Sequence, residues 1–302
     1  MAKAKNSHRR TDTKIDLLAQ RIKENTGLDF NDGEWHNRLL VATPSTGTIR
    51  MEWALARYGQ VIPTNWSHVD VLQWINPYVP VRYLLVDAEN LIAKTVVEGN
   101  FEWLLFIEED NVIPPDAFIR INQYMQECTV PVVSGLYFTK SVPPEPILYR
   151  GRGNGAFHDW KFGDKVWVDG IPFGFTLIHG SIIRALWEIS EPYKTSNGQE
   201  TRKVFRIPGD VYGNPEDGAF ATTHGTSDLD FCTRLTTDRI WEKAGWPEYQ
   251  SKKNPFLVDT NIFVKHIDLQ GRQYPIGGIP ERYFHKKGKP ERQSKKFKKT
   301  GK

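Results

Sequence analysis

Cysteine is scarce in this chain: Cys128 and Cys232 are the only two among 302 residues. Neither belongs to a CxxC pair or to a Cys/His metal spacing. That argues against a thiolate zinc site or a disulfide scaffold and predicts two free thiols in a reducing compartment. Long apolar runs are missing as well; none approaches the ~18 residues that suggest a membrane-spanning helix. The basic N-terminus leads into no apolar h-region, so it does not read as a secretory signal. Together these absences predict a soluble, cytoplasmic protein. No internal repeat is visible, which argues against a solenoid.

Net charge is small, with 40 Lys and Arg against 36 Asp and Glu, but it is unevenly spread. The last stretch, "HKKGKPERQSKKFKKTGK", is almost all basic and polar, and the first, "MAKAKNSHRR", is similar. The body between them is neutral or slightly acidic. The expected layout is a basic N-terminal extension with a helix over 1–37, a folded body over 38–270, and a basic, disordered tail over 271–302. The tail is a candidate contact for an acidic partner. Aromatics are abundant, with 10 Trp, 16 Phe and 11 Tyr, and most are expected in the core.

Along the chain, Ile15, Leu18 and Ile22 in "KIDLLAQRIKENTG" have helical spacing, and Gly27 stops the pattern. "RLLVATPSTG" predicts a first strand and its loop, and "TIRMEWALARYGQ" a helix. "YVPVRYLLVD" predicts a strand delivering Asp87, and "AENLIAKTVVEGN" a helix ending at Gly99. "EWLLFIEED" reads as a third strand, "PPDAFIRINQYMQEC" as a helix with proline in its first turn, and "VPVVSGLYF" as a fourth strand. This alternation predicts an α/β fold with a mainly parallel sheet flanked by helices. Ligands of such sheets bind beyond the carboxyl ends of the strands. Past residue 140 the texture changes to a smaller mixed region. There a helix is expected from about Ser181, and an irregular loop or lid over 192–225. "TSDLDFCTRLTTDRIWEKAG" has Leu229, Cys232, Leu235 and Ile240 near one helix face, and "FLVDTNIFVKHID" supplies late strands.

Four places could carry chemistry. The tip of "WLLFIEED" gathers Glu108, Glu109 and Asp110 after an apolar run. If the strand persisted, Glu108 and Asp110 would share a side and suit Mg²⁺ or Mn²⁺; a solvated acidic loop would also explain them. Asp228 and Asp230 fall in the first turn of a helix that Ser227 or Thr226 could cap. Helix start explains one of these acids and leaves a spare able to act as general base. His266 sits alone near a strand end, a place more often structural, and gains meaning only if a metal sits on Asp110. Gly170 and Gly174 bracket Pro172 and Phe173, allowing either a tight turn or a close approach of ligand to backbone.

In order, "WLLFIEEDNVIPPDAF", "VVSGLYFTK", "PFGFTLIHGSIIRAL", "SDLDFCTRL" and "VDTNIFVKHID" resemble the GT-A glycosyltransferases, in particular the family-2-like bacterial and phage group. The likeness runs over most of 38–268. It implies a GT-A domain with a nucleotide-sugar half over about 38–140 and an acceptor half over about 141–270. It also implies a nucleoside diphosphate sugar donor, UDP-sugar first among them, with Mn²⁺ or Mg²⁺ as cofactor. Glu108, Asp110 and His266 would be the metal residues. Thr43, Pro44, Asp87, Asn90, Glu109, Asp110 and Gly174 would meet the donor. Asp228 would activate the acceptor hydroxyl in an inverting enzyme, with Asp230 beside it. The chain departs from the family where Glu108 replaces the usual Asp and where Ser227 stands in place of a frequent Glu.

The expected activity is therefore metal-dependent sugar transfer to a hydroxyl on a glycan, a protein, a lipid-linked sugar or nucleic acid. Nucleotidyl transfer on a similar fold is an alternative, but "ATPSTGTIR" has one Gly and one Arg where a glycine-rich basic loop would be needed. A degenerate fold that binds sugar or nucleic acid is the non-enzymatic alternative. Trp160, Trp167 and Trp246 are candidate stacking surfaces for an acceptor, with core packing as the competing role.

Overall fold

The computed structural model describes residues 37–151, 155–214 and 219–278. The expected helix near residues 14–27 and most of the basic tail lie outside the described residues. The central sheet is built from apolar runs that alternate between two faces. Strand β1 spans Leu39–Ala42, helix α1 Met51–Tyr58, α2 His68–Ile75 and α3 Leu85–Glu98. They are followed by β2 (Trp103–Ile107), β3 (Asn111–Val112), α4 (Ala117–Glu127) and β4 (Val132–Leu136). Next come β5 (Lys165–Val168), β6 (Phe175–His179) and α5 (Gly180–Ile189). Two hairpins follow, β7 (Pro192–Lys194) with β8 (Glu200–Arg202), and β9 (Gly209–Asn214) with β10 (Ala219–His224). The chain then forms α6 (Ser227–Thr237), α7 (Ile240–Lys243), α8 (Pro247–Gln250), β11 (Phe256–Phe263), β12 (Lys265–Ile267) and β13 (Gln273–Tyr274).

The main sheet has six strands in the order β1-β2-β6-β4-β11-β5. β1 and β2 pair in parallel, as do β4 and β11, while β6 and β5 run against their neighbours. Strands β1, β2, β4 and β11 therefore point the same way, and the mainly parallel α/β expectation holds. Successive residues of β2 feed opposite cores, as a pleated strand dictates. Leu104 and Phe106 pack with Ile92 and Val96 of α3, Ile182 and Leu186 of α5, and Phe231 of α6. Trp103, Leu105 and Ile107 pack with Trp53 of α1, Trp74 of α2 and Phe118 of α4. The result is a sheet with helices on both faces, the arrangement that buries strands on both sides.

Several local expectations need correction. No regular strand precedes Asp87; only isolated bridges from Tyr78 and Val81 extend the edge of β1, and Asp87 sits in the first turn of α3. Helix α2 was not foreseen, although Ser67 and Asp70 cap it reciprocally, a signal present in "SHVD". The prolines at 114 and 115 precede the N-cap Asp116 of α4 rather than lying inside the helix. Where an irregular loop was expected over 192–225, the described residues form two hairpins, β7–β8 and β9–β10. The helix expected to continue to Gly245 breaks after Thr237, where Arg239 adopts a left-handed backbone. The fold also continues past 270. Strand β13 pairs with β12, and Asp268 receives hydrogen bonds from the Arg272 main chain (2.9 Å) and side chain (2.6 Å).

Candidate functional site

The shared direction of β1, β2, β4 and β11 brings their carboxyl ends to one edge of the sheet. From that edge come Thr43 and Pro44 after β1, Glu108–Asp110 after β2, Tyr137 and Lys140 after β4, and His266 after β11. Strand β6 runs the other way, so it starts at this edge, with Gly174 just before it.

Strand β2 ends at Ile107, so the three acids lie in a turn and the expectation of a continuing strand fails. The turn is pinned from below. Glu108 N–H donates to the Gly174 carbonyl (2.9 Å), and Trp53 Nε1 donates to the Glu108 carbonyl (2.8 Å). Gly174 in turn donates its N–H to the Tyr137 hydroxyl (2.6 Å). A Cβ on residue 174 would lie 2.5 Å from both Asn111 Nδ2 and the Tyr137 hydroxyl, so only glycine fits there.

Asp110 and His266 meet through a small three-stranded sheet, β13-β12-β3. Asn111 pairs with His266 across β3 and β12, and Ile267 N–H donates to the Asp110 carbonyl (2.8 Å). His266 Nδ1 donates to the Phe138 carbonyl at 2.9 Å, which leaves Nε2 facing Asp110 Oδ2 at 3.4 Å. A nitrogen lone pair facing a carboxylate is favourable only with a proton or a cation between them. The Lys140 ammonium sits on the same Asp110 oxygen. Burial works to raise the Asp110 carboxyl, but His266 and Lys140 outweigh it and hold Asp110 below the ordinary range. Glu108 goes the other way. Burial first, then the charges of Asp110 and Asp228, push it up to about 8.

Asp228, in the first turn of α6, accepts hydrogen bonds from the Thr226 hydroxyl and from Leu229 N–H (2.7 Å). Neither Ser227 nor Thr226 caps the helix through its side chain as expected; the Thr226 hydroxyl goes to Asp228 instead. Burial raises the Asp228 carboxyl despite these bonds. Its charge is felt at Glu108, Tyr137, Tyr149 and Glu89, which marks these groups as its neighbours in one low-dielectric field. Asp230, expected beside Asp228, is engaged by Arg206 through two hydrogen bonds of 3.0 Å each and has a structural partner.

Other expected donor residues are employed within the fold. Asp87 accepts from the Tyr193 hydroxyl (2.9 Å) and from Ser196 N–H and Oγ (both 2.8 Å). Asn90 donates to the Phe205 carbonyl (2.9 Å) and accepts from the Phe205 N–H (2.8 Å). Asp87 and Asn90 thereby clasp the β7–β8 hairpin, and Asn90 also the connection that follows it. Glu109 turns away from Asp110 to bind the loop after β1, accepting from Ser45 Oγ (2.6 Å), Thr46 Oγ1 (2.6 Å) and Thr46 N–H. It thereby fixes the loop that carries Thr43, whose buried Oγ1 has no protein hydrogen-bond partner. Trp160 lies in the core, and Trp167 and Trp246 pack against it, so the packing role holds for all three.

Sequence reasoning missed Glu89, Tyr137 and Lys140. Tyr137 and Lys140 sit in "GLYFTK" just past an apolar strand, where side chains reach the site edge. Glu89 carried a clearer signal: it shares the buried α3 stripe with Ile92, Ala93 and Val96 at helical spacing. A carboxyl on such a stripe is out of place unless it has a task.

Among the described residues no three His, Cys, Asp or Glu side chains converge as a ready metal cage. Asp110 and His266 supply two donors, which matches the chemistry of ions that take one or two protein ligands and complete their shell with phosphate oxygens and water.

No protein-family profile and no curated protein matches the chain. Among solved structures it resembles A197 from STIV, at 16% identity and TM-score 0.44, covering 76% of this chain and 86% of that one. It also resembles S. aureus TarS, at 11% identity and TM-score 0.38, covering 75% of this chain and 36% of the longer TarS chain. At scores this low the likenesses carry no assignment of function.

Proposed function

We propose that this chain is a metal-dependent glycosyltransferase that moves a sugar from a nucleoside diphosphate sugar to an acceptor hydroxyl. One observation carries the reading. Asp110 and His266, far apart in sequence, face each other across 3.4 Å at the carboxyl edge of the sheet, beside Glu108, which feels the charges of both Asp110 and Asp228. Asp110 and His266 would hold the divalent ion, with Glu108 behind them. A divalent ion bound there would neutralise the diphosphate leaving group. The Phe138 carbonyl fixes the His266 tautomer so that Nε2 faces the site. Glu109, by binding Ser45 and Thr46, shapes the loop against which the nucleotide would lie. Asp228 would take the proton of the acceptor hydroxyl, and its raised carboxyl makes it a stronger base than a free aspartate. The preferred donor is a UDP-sugar; the acceptor class stays open among glycan, protein, lipid-linked sugar and nucleic acid.

Calorimetry against a panel of nucleoside diphosphate sugars, with and without Mn²⁺, tests this. Binding of one donor is expected only with the metal, and a drop beyond about tenfold in Asp110→Ala and in His266→Ala. Metal-independent binding, indifferent to both substitutions, would overturn the assignment.

A further inference from the structure

Glu89 has no role in the scheme above, yet its surroundings are unusual. Its side chain is 2% exposed and sits on the apolar stripe of α3 beside Ile92, Ala93 and Val96. One carboxyl oxygen, Oε1, accepts a hydrogen bond from Ser227 Oγ at 2.9 Å. The other, Oε2, is buried with no protein partner. Among the described residues no Lys or Arg pairs with it, and the charges it feels are those of Glu108 and Asp228, both acids. An ionised carboxylate there would carry the full cost of an unpaired buried charge. Burial, reinforced by these like charges, drives the Glu89 carboxyl well above its ordinary range. Its partner Ser227 opens α6 and directly precedes Asp228. Helix α3 is itself anchored in the core through Ile92, Ala93 and Val96.

We propose that Glu89 is a positioning residue for Asp228: by holding Ser227 to a helix fixed in the core, it sets where the Asp228 carboxylate stands. This rests on the reading of Asp228 as the base. The test uses Glu89→Gln, Glu89→Ala, Ser227→Ala and the Glu89→Ala/Ser227→Ala double variant of the full chain. Three quantities are measured: kcat, donor affinity by calorimetry, and the titration of the Asp228 carboxyl by ¹³C NMR, assigned with Asp228→Asn. Glu89→Ala and Ser227→Ala are each expected to lower kcat by about 10²-fold while donor affinity holds, since misplacing a catalytic group by about 1 Å costs that much. The double variant should be no worse than either single one, because both break one tie. Glu89→Gln, whose amide oxygen still accepts from Ser227, should restore kcat to within a few-fold. If Glu89→Ala does not fold, Ser227→Ala and Glu89→Gln carry the test. Unchanged kcat in Ser227→Ala, additive losses, or a loss confined to donor affinity would overturn the proposal. If the unmodified chain transfers no sugar, the functional reading has failed, and the NMR arm decides this one separately. A displaced Asp228 titration in Glu89→Ala and Ser227→Ala supports the tie, and a superimposable curve refutes it.

Discussion

Asp87 and Asp228 both lie in the first turn of a helix, and the structure has made them different acids. Asp87 receives three hydrogen bonds, from Ser196 N–H, Ser196 Oγ and Tyr193 Oη, and together they outweigh burial and hold its carboxyl below the ordinary range. Asp228 receives two local bonds, from Thr226 and Leu229, and burial prevails. The same residue type in the first turn of a helix thus becomes a clasp with a lowered carboxyl in one region and a raised, buried carboxyl in the other. At both residues hydrogen bonds oppose burial; they prevail at Asp87, and burial prevails at Asp228.

The largest effect that would sharpen this contrast is on turnover. Asp228→Asn should lower kcat by about 10²–10⁴-fold with donor binding intact, the loss typical of a removed general base. Asp87→Asn should leave kcat within a few-fold but cost about 1–3 kcal/mol in urea unfolding, as partners in the hairpin lose their acceptor. Reversed outcomes would break the comparison. Acid titration should then separate the two in order. A base must be ionised, so kcat should fall as pH drops through the raised pKa of Asp228, above the ordinary ~3.9. Asp87 has a depressed folded pKa, so its stabilisation is complete above ~3.9 and fades only as pH falls through that lower value. Activity should therefore vanish while the Asp87 contribution to thermal stability is still present, and Asp87→Asn should shrink the melting-temperature drop below that pH. The smallest effect belongs to Arg206→Met. Its half-exposed guanidinium pairs with Asp230, an interaction worth about 0–1 kcal/mol, and kcat should not change.

Much of the frame was legible because strands β1, β2, β4 and β11 announce themselves as apolar runs followed by polar tips. The pairing of Asp110 with His266 was reachable only through the order of several motifs, since their contact depends on β3 and β12 meeting across a long stretch of chain. The roles of Asp87, Asn90 and Asp230 were not legible. Their partners, Ser196, Phe205 and Arg206, come from the region read as an irregular loop, and hydrogen bonds over such separations leave no periodic trace. The resemblance places Glu109 at the donor. Once the strand stops at Ile107, the turn sends its carboxylate to Ser45 and Thr46 instead.

The small sheet that joins β3 to β12 and β13 fixes when the centre can exist. Its histidine comes from β12, which follows every strand of the large sheet in the sequence. A chain halted after Val264 would hold both cores and all six main strands but lack the imidazole facing Asp110. The large sheet and the Asp110–His266 pairing thus depend on different parts of the chain, and the second needs β12 beside β3.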